Sequence, residues 1–201
     1  GPAELFKRRK IFDTIRSVFE LHGFQPLETP AMEALSTLTG KYGDEGDKLL
    51  FKILNNGDFL NKVPEQFLHH EASVEIIPHI AKRGLRYDLT VPFARYVAMN
   101  QGQLAFPFKR YQMQPVWRAD RPQKGRYQEF YQCDADVIGS DSLYYEAELA
   151  VIYHEVFEAL KIPVTVSINH RGILEGLAGF VGKSVLFQKM TVILDKLDKL
   201  G

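Results

Sequence analysis

Leu5, Phe12, Ile15 and Phe19 recur at helical spacing, with Ile11 and Val18 beside them and Arg8, Arg9 and Arg16 elsewhere. This predicts a first helix over roughly residues 4–22, stopped by Gly23. Pro26 and Pro30 exclude helix from Phe24 to Pro30, which is predicted as extended chain. Gly40, Gly43 and Gly46 among charges predict a loop over 40–47. Leu49 to Leu54 then predicts a strand, and Asn55 to Asp58 its turn. Residues 61–82 have little pattern. Leu85-Arg86-Tyr87 is predicted as extended, and Pro92 as the opening of a helix that ends near Met99, before Asn100 and Gly102. Strands over roughly 107–118 and 127–138 are joined by the polar loop Ala119 to Arg126. A helix over about 142–160 stops before Pro163, followed by a strand from Val164 to Ile168 and helices near 171–180 and 184–199. The fold class is α+β, a mainly antiparallel sheet flanked by helices.

The polar positions of the central hairpin depart from a core sheet. Side chains alternate faces along a strand, so Gln128, Phe130, Gln132, Asp134 and Asp136 share one face of the second strand, and on the first strand Arg110, Gln112, Gln114 and Arg118 also share a face. Amides and charges there, with a basic loop at one end, suit a polar ligand. A fully solvated sheet face is the alternative reading.

Totals narrow the classes. At 201 residues, with 45% hydrophobic and 25% charged residues, the chain has ordinary globular composition and length for one well-buried domain. Lys plus Arg and Asp plus Glu are 25 each, so there is no general basic excess for gripping a nucleic-acid backbone. The single cysteine, Cys133, excludes an internal disulfide and a cysteine-built metal site, and fits a reducing cytoplasm. Asp13, Arg16 and Glu20 interrupt the apolar stretch after the basic run Lys7 to Lys10, so neither a signal peptide nor a membrane span is expected. Gly1-Pro2 reads as a protease-cleavage scar, leaving residues 3–201 as the domain.

Arg118-x-Asp120, a loop, and Gly125-Arg126-x-x-x-Phe130 resemble motif 2 of the class II aminoacyl-tRNA synthetases. The run from Arg121 to Tyr127, the run from Phe130 to Asp134, and the upstream run from Leu85 to Tyr96 are similar to the histidine-specific branch. Gly23-Phe24-x-Pro26-Leu27-Glu28-Thr29-Pro30 resembles motif 1, which marks the dimer interface in that family. The resemblance implies a class II catalytic core that uses ATP to activate histidine as histidyl-adenylate and then transfers it to tRNA(His), with Mg²⁺ as the accompanying ion and a homodimer as the assembly. It implies that Arg118 binds the α-phosphate and the histidine carboxylate, and is the catalytic residue. Asp120 and Arg126 would hold the adenine side and the outer phosphates, and Phe130 would stack on adenine. Asp88, Thr90 and Gln132 would accept from the α-ammonium, and Asp136 from the imidazole. No residue is singled out as a metal ligand. Motif 3, a second histidine-specific block and the anticodon-binding domain have no counterpart in these residues, so a partial catalytic domain with weak activity is expected. The rival is a non-catalytic synthetase-like subunit that senses amino acids or binds and regulates a partner.

Three weaker signals carry nothing. Gly182-Lys183-Ser184 lacks the glycine that a phosphate-binding loop needs at position 177, which is Leu177. His69-His70-Glu71 has no metal-ligand spacing. Cys133 is expected to be a packed side chain rather than a nucleophile, and His154 and His170 are given no role.

Overall fold

The structure, a computed structural model, describes residues 1–41, 43–68, 73–182, 186, 187, 189, 191 and 193. It divides into two compact units, Gly1–Ile162 and Pro163–Gly201. The first unit runs α1 (Pro2–Leu21), β1 (Gln25–Pro26), β2 (Met32–Ala34), α2 (Leu35–Leu38), α3 (Gly43–Lys48), β3 (Lys52–Ile53), α4 (Glu65–Leu68) and α5 (Ser73–Ile80). It continues with β4 (Arg83–Leu85), α6 (Thr90–Asn100), β5 (Phe108–Trp117), β6 (Glu129–Ile138) and α7 (Tyr144–Ala159). The second unit holds α8 (Arg171–Phe180), capped by His170, whose Nδ1 accepts from the Gly172 amide at 3.1 Å. That cap is a role for His170 that its sequence context did not reveal.

Two three-stranded sheets form, in the orders β1-β5-β6 and β2-β4-β3. Among the described residues only the short β1–β5 contact is parallel; the other pairings are antiparallel, as expected. The β5–β6 hairpin is the longest ladder, pairing Phe108 with Ile138 through Trp117 with Glu129. Pro115 lacks an amide proton but sits beyond the reach of β1, which pairs only at Arg110 and Tyr111, so no ladder bond is lost on that side.

The hairpin separates two environments. Tyr111, Met113, Cys133, Ala135 and Val137 pack against Val18 and Phe19 of α1 and Ile152 and Val156 of α7. Phe93 and Val97 of α6 pack with Phe108 in a second cluster. Helix α7 buries Glu148, Ile152 and Val156, one side chain per turn. Its Glu148 binds the Lys109 ammonium at 2.7 Å, and Lys109 also donates to the His22 carbonyl just beyond α1. His22 Nε2 reaches Glu155 at 2.8 Å. One ionic group thus ties α1, β5 and α7 together.

In the smaller sheet, Gly84 of the middle strand β4 is the close-approach residue. A Cβ there would come within 2.9 Å of the Phe51 carbonyl and 3.2 Å of Leu38. Arg83-Gly84-Leu85 is therefore a packing feature of this sheet.

Several expectations are corrected. Residues 43–48 are helical rather than loop; the Asp47 carboxylate accepts from the Gly40 amide at 2.8 Å and closes the turn. The strand expected over Leu49 to Leu54 shrinks to Lys52–Ile53, because its partner is three residues long and the Leu49 carbonyl instead accepts from Ala119. Extended chain expected at Leu85 to Tyr87 shifts to Arg83–Leu85. Helix α6 opens at Thr90, two residues before Pro92, since the first turn's amides need no intrahelical acceptor and proline fits there. Val164 to Ile168 pairs with no strand among the described residues, and without a partner edge an extended segment is not a strand. Most of the helix expected over 184–199, together with His69, His70 and Glu71, lies outside the described residues.

Candidate active site

The polar face of the hairpin is held by register. Arg110 lies opposite Asp136, Gln112 opposite Asp134, Gln114 opposite Gln132, and Val116 opposite Phe130. Period-two alternation puts all eight on one face, away from α1 and α7. The face is not simply solvated: Arg110 and Gln112 are both 0% exposed. Of the residues grouped from sequence, Arg118 and Gln128 lie just beyond the strand ends, joined by an amide-to-carbonyl bond of 2.9 Å.

Beside the loop end of the hairpin is an open cleft of about 570 Å³ lined by Tyr87, Arg118, Asp120, Gly125, Arg126 and Phe130, among others. The Arg118 guanidinium lies 4.3 Å from the Tyr87 ring centre and 5.1 Å from that of Phe130, and its Nε donates to the Tyr87 carbonyl at 3.2 Å. Two rings and a carbonyl thus aim one cation. Gly125, with φ of 82°, makes the turn that lets Gln123 and Arg126 bond to each other's backbone. Arg126 stands 3.9 Å from Asp120, a loose and exposed pair free to open for a ligand. Arg118, Asp120, Arg126 and Phe130 are therefore brought together.

Further along the same face is a second group. The Arg110 Nη2 stands 2.7 Å from Asp136 Oδ2, and Asp134 and Asp88 also act on its charge. The Arg110–Asp136 approach is a close ion pair without hydrogen-bond direction, since Asp136 Oδ2 and Arg110 Nε, like Gln132 Oε1, are buried without a hydrogen-bond partner. Leaving a buried polar atom unsatisfied costs about 1–3 kcal/mol. Burial pushes the Asp134 carboxyl up to about 6, against the pull of Arg110, with Asp136 and Asp88 adding to the rise. Burial likewise raises Asp136. Three carboxylates around one guanidinium make this group electronegative, suited to a ligand that brings positive charge and N–H donors. Thr90 opens α6 and is exposed, so its hydroxyl lies outside the buried group.

Behind the face, Arg86 is 1% exposed and binds the Thr29 carbonyl at 2.7 Å, the Pro115 carbonyl at 2.8 Å and Gln114 Oε1 at 2.9 Å. Gln112 donates to Thr29 Oγ1 and Gln114. This network fixes β5 against the Thr29 segment. On the opposite face, Cys133 is packed against the α1–α7 core, and burial, with Asp134, pushes its thiol up to about 11. It is a packed side chain rather than a nucleophile.

A sequence profile described as histidyl-tRNA synthetase matches residues 80–199, more than half of the chain. The chain belongs to the histidyl-tRNA synthetase family. A histidine–tRNA ligase of Cytophaga hutchinsonii is 58% identical over the whole of this chain, which spans 44% of that relative's length. A crystal structure of histidyl-tRNA synthetase from a Nostoc species matches 79% of this chain and 31% of its own, at 36% identity and a TM-score of 0.58. A Bacillus halodurans structure titled ATP phosphoribosyltransferase regulatory subunit/histidyl-tRNA synthetase matches 77% of this chain and 34% of its own, at 25% identity and a TM-score of 0.58. The α+β core is thus that of a class II synthetase.

Sequence reasoning placed Arg110, Gln112, Gln114 and Asp134 on the right faces but gave them no role. Their signal was present: four polar residues in phase on strands whose neighbours are apolar. Arg86 and Tyr87 lie in the Leu85 to Tyr96 run that carries the resemblance but were given no role, because an arginine and a tyrosine in an extended run look like surface.

Proposed function

We propose that the protein carrying this chain activates histidine with ATP to histidyl-adenylate and transfers the histidyl group to tRNA(His). The observation that carries the reading is the pair of buried acceptors without a directed hydrogen bond, Gln132 Oε1 and Asp136 Oδ2, the second met only by the Arg110 ion pair, on the face that leads to the Arg118 cleft. The α-ammonium and imidazole N–H of histidine supply the donors that these atoms lack. Asp88 adds negative charge near the ammonium, and Thr90 offers a hydroxyl at the start of α6. Phe130 provides an adenine platform, Asp120 an acceptor on the adenine side, and Arg126 a cation for the outer phosphates.

Arg118 is the catalytic residue in this reading. A histidine carboxylate oxygen attacks the α-phosphorus of ATP; the bond to the β-phosphate oxygen breaks, and pyrophosphate leaves with the electron pair. Negative charge gathers on the α-phosphoryl oxygens, and the guanidinium of Arg118, held in advance by Tyr87 and Phe130, meets it without reorganising. A hydroxyl of the terminal ribose of the tRNA then attacks the acyl carbon of the adenylate, the bond to the phosphate oxygen breaks, and AMP leaves. Among the described residues no group of three or more His, Cys, Asp or Glu is arranged to hold a metal ion. The cleft side chains therefore do not make a protein cage for Mg²⁺, and such an ion would enter on the ATP phosphates.

A homodimer and a cytoplasmic setting complete the proposal. Leu5, Phe6 and Ile11 on the exposed half of α1 support self-association, Phe6 being 68% exposed. Phe24 and Thr29 are buried within the chain itself, so the segment after α1 contributes to an interface mainly through Gln25, Pro26 and Glu28. Among the described residues no helix is long and apolar enough to cross a membrane.

The test is histidine-dependent ATP–pyrophosphate exchange by the intact gene product containing this chain. Arg118→Ala is expected to lower kcat by roughly 10²–10³-fold, the usual effect of removing one preorganised donor. An amino-acid-sensing subunit would bind histidine without exchange, and that result would replace the ligase reading.

A further inference from the structure

The cation at the centre of the second group is not among the residues that the proposed reaction uses. Arg110 is 0% exposed, and enclosing a guanidinium is costly unless every donor is met. Here it is not fully met, for Nε has no partner. A residue kept only to stabilise the hairpin would be replaced without loss by an apolar one, and the Phe93 ring already lies 4.3 Å from the guanidinium.

What Arg110 does touch is specific. One arm comes within 2.7 Å of Asp136 Oδ2. The same Nη2 donates to the Leu89 carbonyl at 3.2 Å, and Nη1 donates to Gln112 Oε1 at 3.3 Å. Leu89 is itself 0% exposed and caps α6 between Asp88 and Thr90. A single guanidinium thus joins the β6 carboxylate assigned to the imidazole to the turn that carries Asp88 and Thr90, two of the groups assigned to the α-ammonium. Asp134, opposite Gln112 in register, shares its charge.

We propose that Arg110 is a positioning residue for amino-acid selection, clamping Asp136 and the Asp88–Thr90 turn at the spacing of the imidazole and ammonium of one histidine. The inference rests on the ligase reading above and extends it to a residue that touches neither substrate. Arginine suits the task because Nη1 anchors its planar fork on Gln112 while Nη2 meets both Asp136 and the Leu89 carbonyl, whereas a lysine offers one nitrogen for all three. Its removal frees Asp136 to turn toward water and lets the Leu89 turn drift.

The intact gene product serves for the test, with histidine-dependent pyrophosphate exchange run at varied histidine and varied ATP. Arg110→Lys keeps the charge and loses the fork. It is expected to raise the KM for histidine by roughly 10–100-fold, the scale of an ångström's misplacement, while the KM for ATP stays within about twofold. A second variant, Arg110→Leu with Asp134→Asn, removes one charge of each sign and guards against a failure to fold. It is expected to melt near the unsubstituted protein and still show the raised histidine KM. An unchanged histidine KM in Arg110→Lys, an equal rise in both KM values, or full recovery in the double variant would overturn the proposal and leave Arg110 as a neutralising cation. Absence of exchange in the unsubstituted protein would instead overturn the ligase reading, and this inference with it.

Discussion

At the scale of single residues, the site holds groups whose preferred charge conflicts with their surroundings, and Asp134 shows the consequence. Its carboxyl is pushed up to about 6 by burial first, with Asp136 and Asp88 adding to the rise. A folded-state pKa above the unfolded value means that stability is greatest at low pH. It declines as pH rises from the ordinary carboxylate range near 4 toward 6, where the unfolded chain has lost the proton and the folded chain still holds it. Above about 6 the penalty is constant. Asp134→Asn, neutral at every pH, is therefore expected to stabilise the protein at pH 7.5 by about 1–3 kcal/mol, less for the part of the carboxyl that solvent screens. Near pH 4 the gain vanishes. Urea denaturation of both proteins at the two pH values checks this, and an equal gain at both would show that burial is not the cause. The same residue shows where sequence reading stops. Alternation placed Asp134 beside Gln132 and Asp136, but its depth depends on Arg110 and α6, which are distant in sequence.

At the scale of elements, sequence reading succeeded where periodicity ran long. Helices α1, α7 and α8 and the β5–β6 hairpin came out within two residues or so of their ends, because each repeats its period for many residues. The pieces that went astray are short, and tertiary partners decide them. Lys52–Ile53 is a strand only because Arg83–Leu85 lies beside it. Gly43–Lys48 is a helix despite its two glycines, with Asp47 closing the preceding turn. The polar tie between elements was also invisible in sequence: Lys109, Glu148 and His22 are far apart along the chain. Lys109 is 19% exposed in its side chain and Glu148 8%, so their pair is well removed from water. Lys109→Met is expected to cost about 2–4 kcal/mol, because Glu148 stays buried with only His22 beside it. Adding Glu148→Leu should recover most of that loss. Chemical denaturation of the four proteins of the double-mutant cycle checks it, and strictly additive losses would mean that the two side chains do not act as a pair.

At the scale of the whole molecule, the two compact units differ in what they hold. Both hydrophobic clusters, the ionic tie, the two sheets and every residue of the candidate site belong to Gly1–Ile162. In Pro163–Gly201 the described residues include the helix α8 and the helical residues Phe187, Lys189, Thr191 and Ile193, with Ala178 and Phe187 buried and Phe180 91% exposed. A core closed within its own segment carries its own folding free energy, and residues beyond it add stability only through contacts they make. A polypeptide ending at Ile162 is therefore expected to fold by itself. The boundary suits this: Lys161, at φ of 57°, follows the α7 cap, and Pro163 cannot continue a helix. Its near-ultraviolet circular dichroism should keep the signal of Trp117, which is fixed by a 2.9 Å bond to Glu129 and by the Arg86 guanidinium 5.7 Å from its ring. Its thermal unfolding should be a single cooperative transition within about 3 °C of the 201-residue chain, the shift that roughly 1 kcal/mol produces in a domain of this size. Loss of the near-ultraviolet signal with retained helix content would show that the second unit is needed to order the first, and that the site's geometry depends on residues beyond Ile162.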